Sequence, residues 1–539
     1  MPSQAIVRAP PLWRRGPALT HASPLPLQPT KTQILVIGGG PAGACAAAAL
    51  AREGFGVTLL EKDHFPRYHI GESMLPSCRP FLRFIGAEEK VVNHGFAVKV
   101  GAAVKLNQYK REGYTDFINP NPNNAAWNVV RSEFDEIVLR HAAEVGVAVH
   151  EGVYVTNIHF SADDPKRPVA AEYKSSDTGS TGKIDFEWLV DASGRLGIMS
   201  TKYLKNRTFN KALKNIAYWA YYKGAGVYMP GTQRENAPWF EALTDETGWA
   251  WFIPLHNGTT SVGVVMRETD SKAKKTASGN DSHNHFLANL KLAPGLLKLL
   301  GDSAELVSEV KTAGDYSYSA DAYAGPGFRI AGDAGAFIDP FFSSGVHLAF
   351  SNALSAAATI ASSIRGQCTE QEAIEFHSEK TGTSYTRFHV VVLSIYRQIT
   401  SQNDPVLFDI NEDNFDRAFD FLRPVIQGIA DSTKDITESV VQATMDFCEH
   451  ALGPTTPEMA ADVAGRIDPT LLAKDGALMG RADVEKLAGD DEDAKHVLLR
   501  VNARKAVEGI YDWEGNFRNE RLGAGFFIRL ERGNLGLEK

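Results

Sequence analysis

The pattern of apolar and polar positions predicts strands and helices interleaved along most of the chain. Residues 34–37 and 57–60 are short, mainly apolar runs that each fit one buried strand, and the alanine-rich stretch between them predicts a helix to about Arg52. Residues 189–195 and 328–334 each predict a strand that ends in a tight turn. This alternation favours an α/β fold.

The turn after the first strand, residues 38–43, has the spacing G-x-G-x-x-G. The first glycine permits the tight turn, the middle glycines let the backbone approach a pyrophosphate, and the last lets helix and strand pack closely. The helix amides that open there favour an anion. A glutamate follows the second strand, 18 residues beyond the last glycine, where it can accept hydrogen bonds from a ribose. The residues assigned to the dinucleotide are Gly38, Gly39, Gly40, Ala42, Gly43 and Glu61.

Length and composition limit the remaining possibilities. A chain of 539 residues is too long for one core, so we expect two or three lobes. The net charge of −9 disfavours nucleic acid as a partner, and no apolar run is long enough to span a membrane. Four cysteines without metal-like spacing favour reduced thiols, a cytoplasmic protein and no metal centre: Cys45, Cys78, Cys368 and Cys448.

Residues 1–31 differ from the rest of the chain. They hold four basic residues, no acidic residue and many prolines, but no continuous apolar segment. We therefore predict a disordered extension rather than a secretory signal. An organelle transit peptide and a misassigned start codon are the alternatives.

Two further segments resemble the para-hydroxybenzoate hydroxylase-like flavoproteins. These are residues 189–195 and 328–334, the second of which ends in Gly-Asp. The resemblance implies an FAD-binding, three-layer Rossmann-like lobe in which Asp333 holds a ribityl hydroxyl and Arg131 lies near the flavin. The alternative for Arg131 is a surface arginine that opens a helix. We find no second G-x-G-x-x-G after a strand, so a separate nicotinamide domain is not expected.

Residues 249–254 match the W-x-W-x-I-P signature of flavin-dependent halogenases. Trp249 and Trp251 share one face of the predicted strand because side chains alternate along a strand. The resemblance implies a wall that keeps substrate from the flavin. The alternative is a strand with tryptophans in the core.

Residues 337–345 fit the halogenase pattern F-x-x-P-x-x-S-x-G. In that family the amides matching Ser344 and Gly345 flank chloride, and the next residue, here Val346, lies by the isoalloxazine. A helix N-terminus can hold a halide because its first amides are unpaired. Ser344 as a helix N-cap is a compatible interpretation.

Residues 69–76 and 94–103 closely resemble the fungal phenol halogenases, including the radicicol halogenases. The resemblance places Glu72 in the flavin-proximal loop and makes Lys99 the catalytic lysine. A desolvated amine with a lowered pKa could capture hypochlorous acid or hold it by a hydrogen bond. Lys105, six residues on and predicted to have the same strand parity, is the rival.

The resemblance extends from about residue 32 to 427, with one informative departure. Tryptophan halogenases carry a glutamate two residues before the serine that matches Ser344, and this chain has Phe342 there. That glutamate assists chlorination of an indole, whereas a phenol is already activated, so the departure indicates a phenolic substrate.

We therefore predict an FAD lobe in residues 32–370, interleaved with a substrate-domain β-sheet at about 111–126 and 204–307. A helical C-terminal region follows in residues 371–539, where residues 415–429 show helical spacing and the acidic residues 490–493 separate elements.

The family resemblance implies a halogenase that uses reduced FAD, oxygen and chloride. A separate flavin reductase supplies the reduced FAD, and hypochlorous acid reaches Lys99, from which chlorine passes to a phenolic polyketide-type metabolite, free or carrier-bound. An aromatic hydroxylase is the main alternative. A flavin-dependent saturase and a non-catalytic FAD-bearing scaffold are the others.

Overall fold

The structure is a computed structural model. It describes residues 30–109, 112–118, 122–400, 402, 462–472, 479, 481–508, 522 and 525–539. Most of the predicted extension at 1–31 and the helical stretch predicted at 415–429 lie outside these residues.

The helices and strands are numbered separately along the chain. The helices are α1 Pro41–Arg52, α2 Cys78–Ile85, α3 Glu88–His94, α4 Arg131–Glu144, α5 Glu268–Ala277, α6 Ser282–Leu290, α7 Pro294–Leu300, α8 Gly345–Arg365, α9 Glu370–Ile399, α10 Pro469–Leu472, α11 Arg481–Ala488 and α12 Glu492–Glu508. The strands up to β10 are β1 Lys31–Ile37, β2 Val57–Leu60, β3 Ala97–Lys99, β4 Gly101–Lys105, β5 Gly113–Asp116, β6 Ala126–Asn128, β7 Ala148–His150, β8 Val153–Phe160, β9 Pro168–Ser175 and β10 Thr181–Asp191. The later strands are β11 Arg207–Lys223, β12 Trp239–Ala242, β13 Gly248–Pro254, β14 Thr259–Arg267, β15 Glu305–Leu306, β16 Lys311–Ala320, β17 Ala324–Gly325, β18 Phe328–Ile330, β19 Phe527–Arg529 and β20 Gly536–Glu538.

The first sheet forms the core of the predicted FAD lobe and confirms the α/β prediction. Its order is β17-β18-β10-β1-β2-β7, and β1 is parallel to both β2 and β10. The alanine-rich helix α1 ends at Arg52 as predicted and packs against α4 and α8. Small side chains let α1 be buried along most of its length. The carboxyl ends of β1, β10 and β18 therefore meet at one edge, where ligands bind in such sheets.

The second sheet carries the predicted substrate domain. Its order is β15-β11-β14-β13-β12-β4-β5, with β16 also paired to β11. It takes in β4 and β16, which lie outside the predicted ranges 111–126 and 204–307. Pairing across the sheet, rather than local pattern, recruits these two strands.

The described C-terminal part is mainly helical. Helix α9 begins with a capping box between Thr369 and Glu372 and packs against β13, β16 and the FAD lobe. Helices α11 and α12 are separated at residues 489–491, which agrees with the predicted break. The chain then ends in the hairpin β19–β20, a feature without a sequence signal. This hairpin packs on the core of the FAD lobe through Ile528, Leu535 and Leu537.

The described residues contain no helix that is both long and apolar enough to cross a bilayer. Cys45 and Cys78 are buried free thiols and Cys368 is a partly buried one. Cys448 lies outside the described residues.

Candidate active site

The glycine turn between β1 and α1 leaves a concavity at the start of the helix. A Cβ atom on Gly38, which has φ of +102°, would lie 2.3 Å from the Ala192 carbonyl oxygen, and one on Gly43 would lie 1.9 Å from the Gly38 oxygen. Both positions therefore exclude side chains. A Cβ on Gly40 would meet only the Arg67 guanidinium, at 3.4 Å. Open space thus lies over the unpaired amides of α1, and a pyrophosphate fits there.

Glu61 lies beside this turn, directly after β2. Its carboxylate is buried and accepts hydrogen bonds from the Gly39 amide at 2.5 Å and the Asp63 amide at 2.8 Å. These bonds fix the carboxylate at the edge of the concavity, so the position suits a ribose contact.

Arg131 is buried, so the interpretation of it as a surface arginine is wrong. Its charge is tolerated there because Asp135, one helical turn later, pairs with it. The Asp135 carboxylate accepts from Arg131 Nε at 2.8 Å and from Arg67 Nη1 at 2.8 Å. Burial acts to raise the pKa of Asp135, but the two guanidinium groups outweigh it and hold the pKa below its usual value. Arg131 Nη1 also donates to the Ile70 carbonyl at 2.9 Å. The structure thus assembles two fixed cations near the concavity.

Sequence reasoning missed both Asp135 and Arg67. The i, i+4 spacing of Arg131 and Asp135 was a usable signal for the first. Nothing in the sequence around Arg67 indicates that it shares this carboxylate, because 68 positions separate it from Asp135.

The Gly-Asp turn after β18 abuts the glycine turn. A Cβ on Gly332 would lie 3.0 Å from the Ala42 Cβ. The adjacent Asp333 is held in a short helical turn, and its main-chain oxygen accepts from the Tyr318 hydroxyl at 2.6 Å. Burial raises the pKa of Asp333, with Arg195 among the groups that oppose it. Two segments nearly 300 positions apart therefore line one site, as one bound dinucleotide would require.

Ser344 directly precedes α8 and is fully buried. Its hydroxyl makes no capping bond, and its Oγ is a buried oxygen with no hydrogen-bond partner. Gly345 is exposed, and a Cβ there would meet nothing within 4 Å, whereas Val346 is buried. An unpaired hydroxyl beside the N-terminus of a long helix, with open space next to it, suits an anion. Phe342 in the same turn is buried.

The two signature tryptophans lie on one face of β13, as predicted, with ring centroids 5.8 Å apart. Trp249 Nε1 donates to the Tyr396 hydroxyl at 2.8 Å, and that hydroxyl donates to Asp339 Oδ2 at 2.7 Å. Trp251 Nε1 donates to the Ser261 hydroxyl at 3.1 Å. Asp339 belongs to the segment that leads into the Ser344 turn, so Tyr396 of α9 links the tryptophan strand to that turn. Tyr396 and Asp339 were not singled out from the sequence.

Lys99 is almost completely buried at the end of β3. Its Nζ donates to the Met74 carbonyl at 2.9 Å and lies 5.1 Å from the Phe117 ring centroid. Burial lowers the pKa of Lys99 from 10.5 to about 7.

The strand that carries Lys99 is adjacent to the loop that carries Glu72. Strand β3 pairs with β6, and Asn128 of β6 forms a bridge with Ser73, the residue after Glu72.

The predicted strand parity of Lys99 and Lys105 is wrong. The strand breaks at Val100, and Lys105 lies in β4, which belongs to the second sheet and pairs with β5 and β12. Because the two lysines sit in different sheets, the alternation rule does not relate them. Lys105 is only partly buried.

Glu72 is buried between the flavin lobe and the second sheet. Its Oε1 accepts from the Tyr221 hydroxyl at 2.7 Å, and the Ser261 hydroxyl lies beside the same carboxylate. Burial raises the pKa of Glu72 from 4.5 to about 7, against the opposing effect of neighbouring donors and of Arg131. The raised pKa means that the folded protein favours the protonated form of Glu72. The contribution of Glu72 to the free energy of unfolding is therefore complete below pH 4.5 and is lost as the pH rises through about 7.

Glu72→Gln should remove this pH dependence from the FAD-free protein. The shift from 4.5 to about 7 corresponds to about 3 kcal/mol at about 1.4 kcal/mol per pH unit. Between pH 4.5 and 8 the parent should therefore lose about 3 kcal/mol more unfolding free energy than the variant, as measured by urea titration. Glu89→Gln, at an exposed position of α3, is the control. Parallel losses in the parent and Glu72→Gln would contradict the assignment.

Comparisons with known proteins identify the family of the chain. Residues 31–382 match the FAD binding domain family. The chain is 60% identical over 518 residues to flavin-dependent halogenase armH1 of Armillaria mellea, covering 94% of this chain and 98% of that protein. It is 48% identical to sulochrin halogenase gedL of Aspergillus terreus, covering 95% of this chain and 94% of that protein. Among solved structures, the flavin-dependent brominase Bmp2 superposes with a TM-score of 0.63 at 26% identity, covering 74% of this chain and 94% of that one.

Proposed function

The chain belongs to the FAD-binding flavin-dependent halogenases, and on that premise we propose that it chlorinates an electron-rich phenol of polyketide type through Lys99. The observation that carries the proposal is the buried Lys99 amine, whose pKa of about 7 leaves an uncharged fraction at neutral pH. A solvated lysine would be protonated and could not act as a nucleophile.

The residues around the concavity fit FAD. The open space over Gly40 and the α1 amides suits the pyrophosphate, while Glu61 suits the adenosine ribose and Asp333 the ribityl chain. Arg131 is held by Asp135 where it can face the flavin. The chemistry that bound, reduced FAD supplies there is the activation of oxygen, by which chloride is oxidised to hypochlorous acid.

The turn at Ser344 and Gly345 is the proposed chloride site. The buried Oγ of Ser344 has no other hydrogen-bond partner, and the first amides of α8 add donors aimed at the same space. Fixed dipoles of this kind stabilise an anion without reorganisation.

Lys99 would carry the chlorine to the substrate in one of two ways. In the first, its neutral amine displaces hydroxide from hypochlorous acid and gives an N–Cl bond with release of water. The phenol ring then takes that chlorine and returns a proton to the amine. In the second, the amine holds hypochlorous acid by a hydrogen bond while the ring attacks it directly. Both routes favour carbons ortho or para to the phenol oxygen, which donates electron density to them.

A phenol is favoured over an indole because the turn offers no acid beside Ser344. Phe342 occupies that position as a buried aromatic ring. The relative gedL is named a sulochrin halogenase, which supports a secondary metabolite as substrate.

Reduced FAD would come from a separate reductase in the same, cytoplasmic, compartment. An aromatic hydroxylase is the main alternative, since it shares the fold and oxygenates a phenol directly. The buried Lys99, the paired tryptophans and the unpaired Ser344 hydroxyl favour the halogenase because hydroxylation requires none of them.

Turnover should depend on an added flavin reductase. The protein alone with FAD, NADPH, chloride and a panel of phenols should oxidise NADPH no faster than a protein-free mixture. Adding reductase should yield a product in which chlorine replaces one hydrogen, detected by mass spectrometry through its isotope pattern. Fast NADPH oxidation by the lone protein, stimulated by a phenol and accompanied by oxygen insertion, would replace the halogenase proposal with the hydroxylase.

A further inference from the structure

Two histidines and a glutamate from three separate segments converge at the junction of the two lobes. His94 ends α3, Glu133 lies in the first turn of α4, and His256 lies in the turn between β13 and β14. Glu133 Oε2 is 2.6 Å from His94 Nε2 and 3.1 Å from His256 Nε2. These three atoms lie within 4.8 Å of one another. Within the described part of the chain, this cluster is the one such group of three potential metal ligands.

The rings are held in position by Phe96. Its ring centroid lies 4.3 Å from that of His94 and 5.1 Å from that of His256, and the two imidazoles are 5.6 Å apart. All three side chains of the cluster are partly exposed, between 20% and 36%. The donors are thus preorganised by packing while solvent still reaches them, which lowers the entropic cost of binding an ion.

The second histidine distinguishes this cluster from an ordinary histidine–carboxylate pair. Glu133 Oε2 faces the Nε2 atoms of both His94 and His256, so two rings from different segments share one carboxylate oxygen. Elsewhere, His159 pairs with Glu172 and His64 with Asp177, each at 2.8 Å, and neither pair belongs to a group of three potential ligands. The convergence of a second ring on Glu133 therefore points to a ligand set rather than a salt bridge.

The neighbouring charges do not repel a cation. The cluster opens onto a groove of about 280 Å³ that His94 and Glu133 help to line. In that groove Lys90 is paired with Glu144, and Arg140 is paired with Glu136 and Glu151. Both of these cations in the lining of the groove are thus matched by a carboxylate, and the groove leaves room for water on the open side of a bound ion.

We propose that this cluster binds a divalent transition-metal ion, with Zn²⁺ as the best fit. Two imidazole nitrogens and one carboxylate oxygen are ligands that Zn²⁺ takes, leaving a fourth position for water. Metal–ligand bonds of about 2.0–2.1 Å in a tetrahedral site place neighbouring ligand atoms about 3.4 Å apart. The distance of 3.1 Å between His256 Nε2 and Glu133 Oε2 is close to this value. The distance of 2.6 Å between His94 Nε2 and Glu133 Oε2 is shorter, and a rotation of the His94 side chain would lengthen it.

The bound ion would link the FAD lobe to the substrate sheet. Glu133 lies two positions after Arg131 of the FAD lobe, while His256 follows the strand that carries Trp249 and Trp251. None of the three ligands belongs to the proposed catalytic machinery. The inference is independent of the halogenase reaction and is tested without it.

Full-length protein is treated with a chelator, dialysed and titrated with Zn²⁺ by calorimetry. We expect one equivalent to bind and the Tm to rise, because the ion binds only the folded protein. Titration with Co²⁺ should give visible absorption bands of a low-symmetry site. His94→Asn, His256→Asn and the nearly isosteric Glu133→Gln should each weaken binding at least about 100-fold, since loss of even an outer partner costs about 10–100-fold.

His159→Asn is the matched control, because it removes the histidine of an ordinary histidine–glutamate pair. It should bind Zn²⁺ like the parent. Circular dichroism verifies that each variant is folded, and Glu133→Gln keeps the test open if a histidine variant is not. No binding by the parent, binding retained in all three variants, or an equal loss in His159→Asn would each overturn the proposal.

Discussion

Lys99→Ala should bind FAD and consume oxygen when supplied with reduced flavin, yet fail to chlorinate. The substitution removes the buried amine but touches neither the glycine turn nor the Ser344 turn. We expect the chlorination rate to fall by well over the roughly 100-fold that loss of an ordinary acid–base group causes. The measurement is product formation by mass spectrometry, with oxygen consumption followed in parallel under the same supply of reduced FAD.

Two further variants make this result specific. Lys99→Met keeps most of the side-chain volume, so it separates loss of the amine from the cavity that alanine leaves in a buried position. Lys105→Ala removes a partly buried lysine from β4 of the second sheet, and this variant should chlorinate like the parent. Near-parental product from Lys99→Met would refute the role of Lys99, and inactivity of Lys105→Ala alone would transfer that role to Lys105.

Gly40→Val should abolish tight FAD binding while leaving the fold intact. In the FAD-free protein a Cβ at this position meets only the end of the flexible Arg67 side chain, so the fold tolerates it. The new side chain fills the space over the α1 amides where the pyrophosphate is expected. We expect affinity to fall at least about 100-fold, or about 3 kcal/mol, as measured by quenching of flavin fluorescence.

The choice of glycine decides what this experiment can show. Substitution of Gly38 or Gly43 would clash with backbone atoms at 2.3 Å and 1.9 Å, and would confuse loss of folding with loss of FAD. Gly56→Val is the control, because a Cβ there meets only the Gln33 Cβ at 3.8 Å. Parental FAD affinity in Gly40→Val would remove this turn from the cofactor site.

The local motifs were predictable because their requirements are local. A turn that excludes every Cβ at Gly38 and Gly43 must be glycine, and the spacing of Trp249 and Trp251 places both rings on one face by strand geometry. The first parallel strands, the helix ending at Arg52 and the break between α11 and α12 also follow from short-range pattern. Prediction failed at Lys99 and Lys105, since the alternation rule was applied across Val100 and Gly101, where the strand breaks and the two lysines enter different sheets.

By itself, the sequence determined the nucleotide turn, the halogenase signatures and the residue types available for the chemistry. Only the tertiary structure decided which of these residues are desolvated and which share a partner. Lys99 has a lowered pKa because distant segments bury it, Asp135 binds Arg67 across 68 positions, and His256, in a turn of the second sheet, reaches Glu133 of α4. Burial and charge pairing depend on contacts between segments far apart in the chain, and a local pattern cannot encode them.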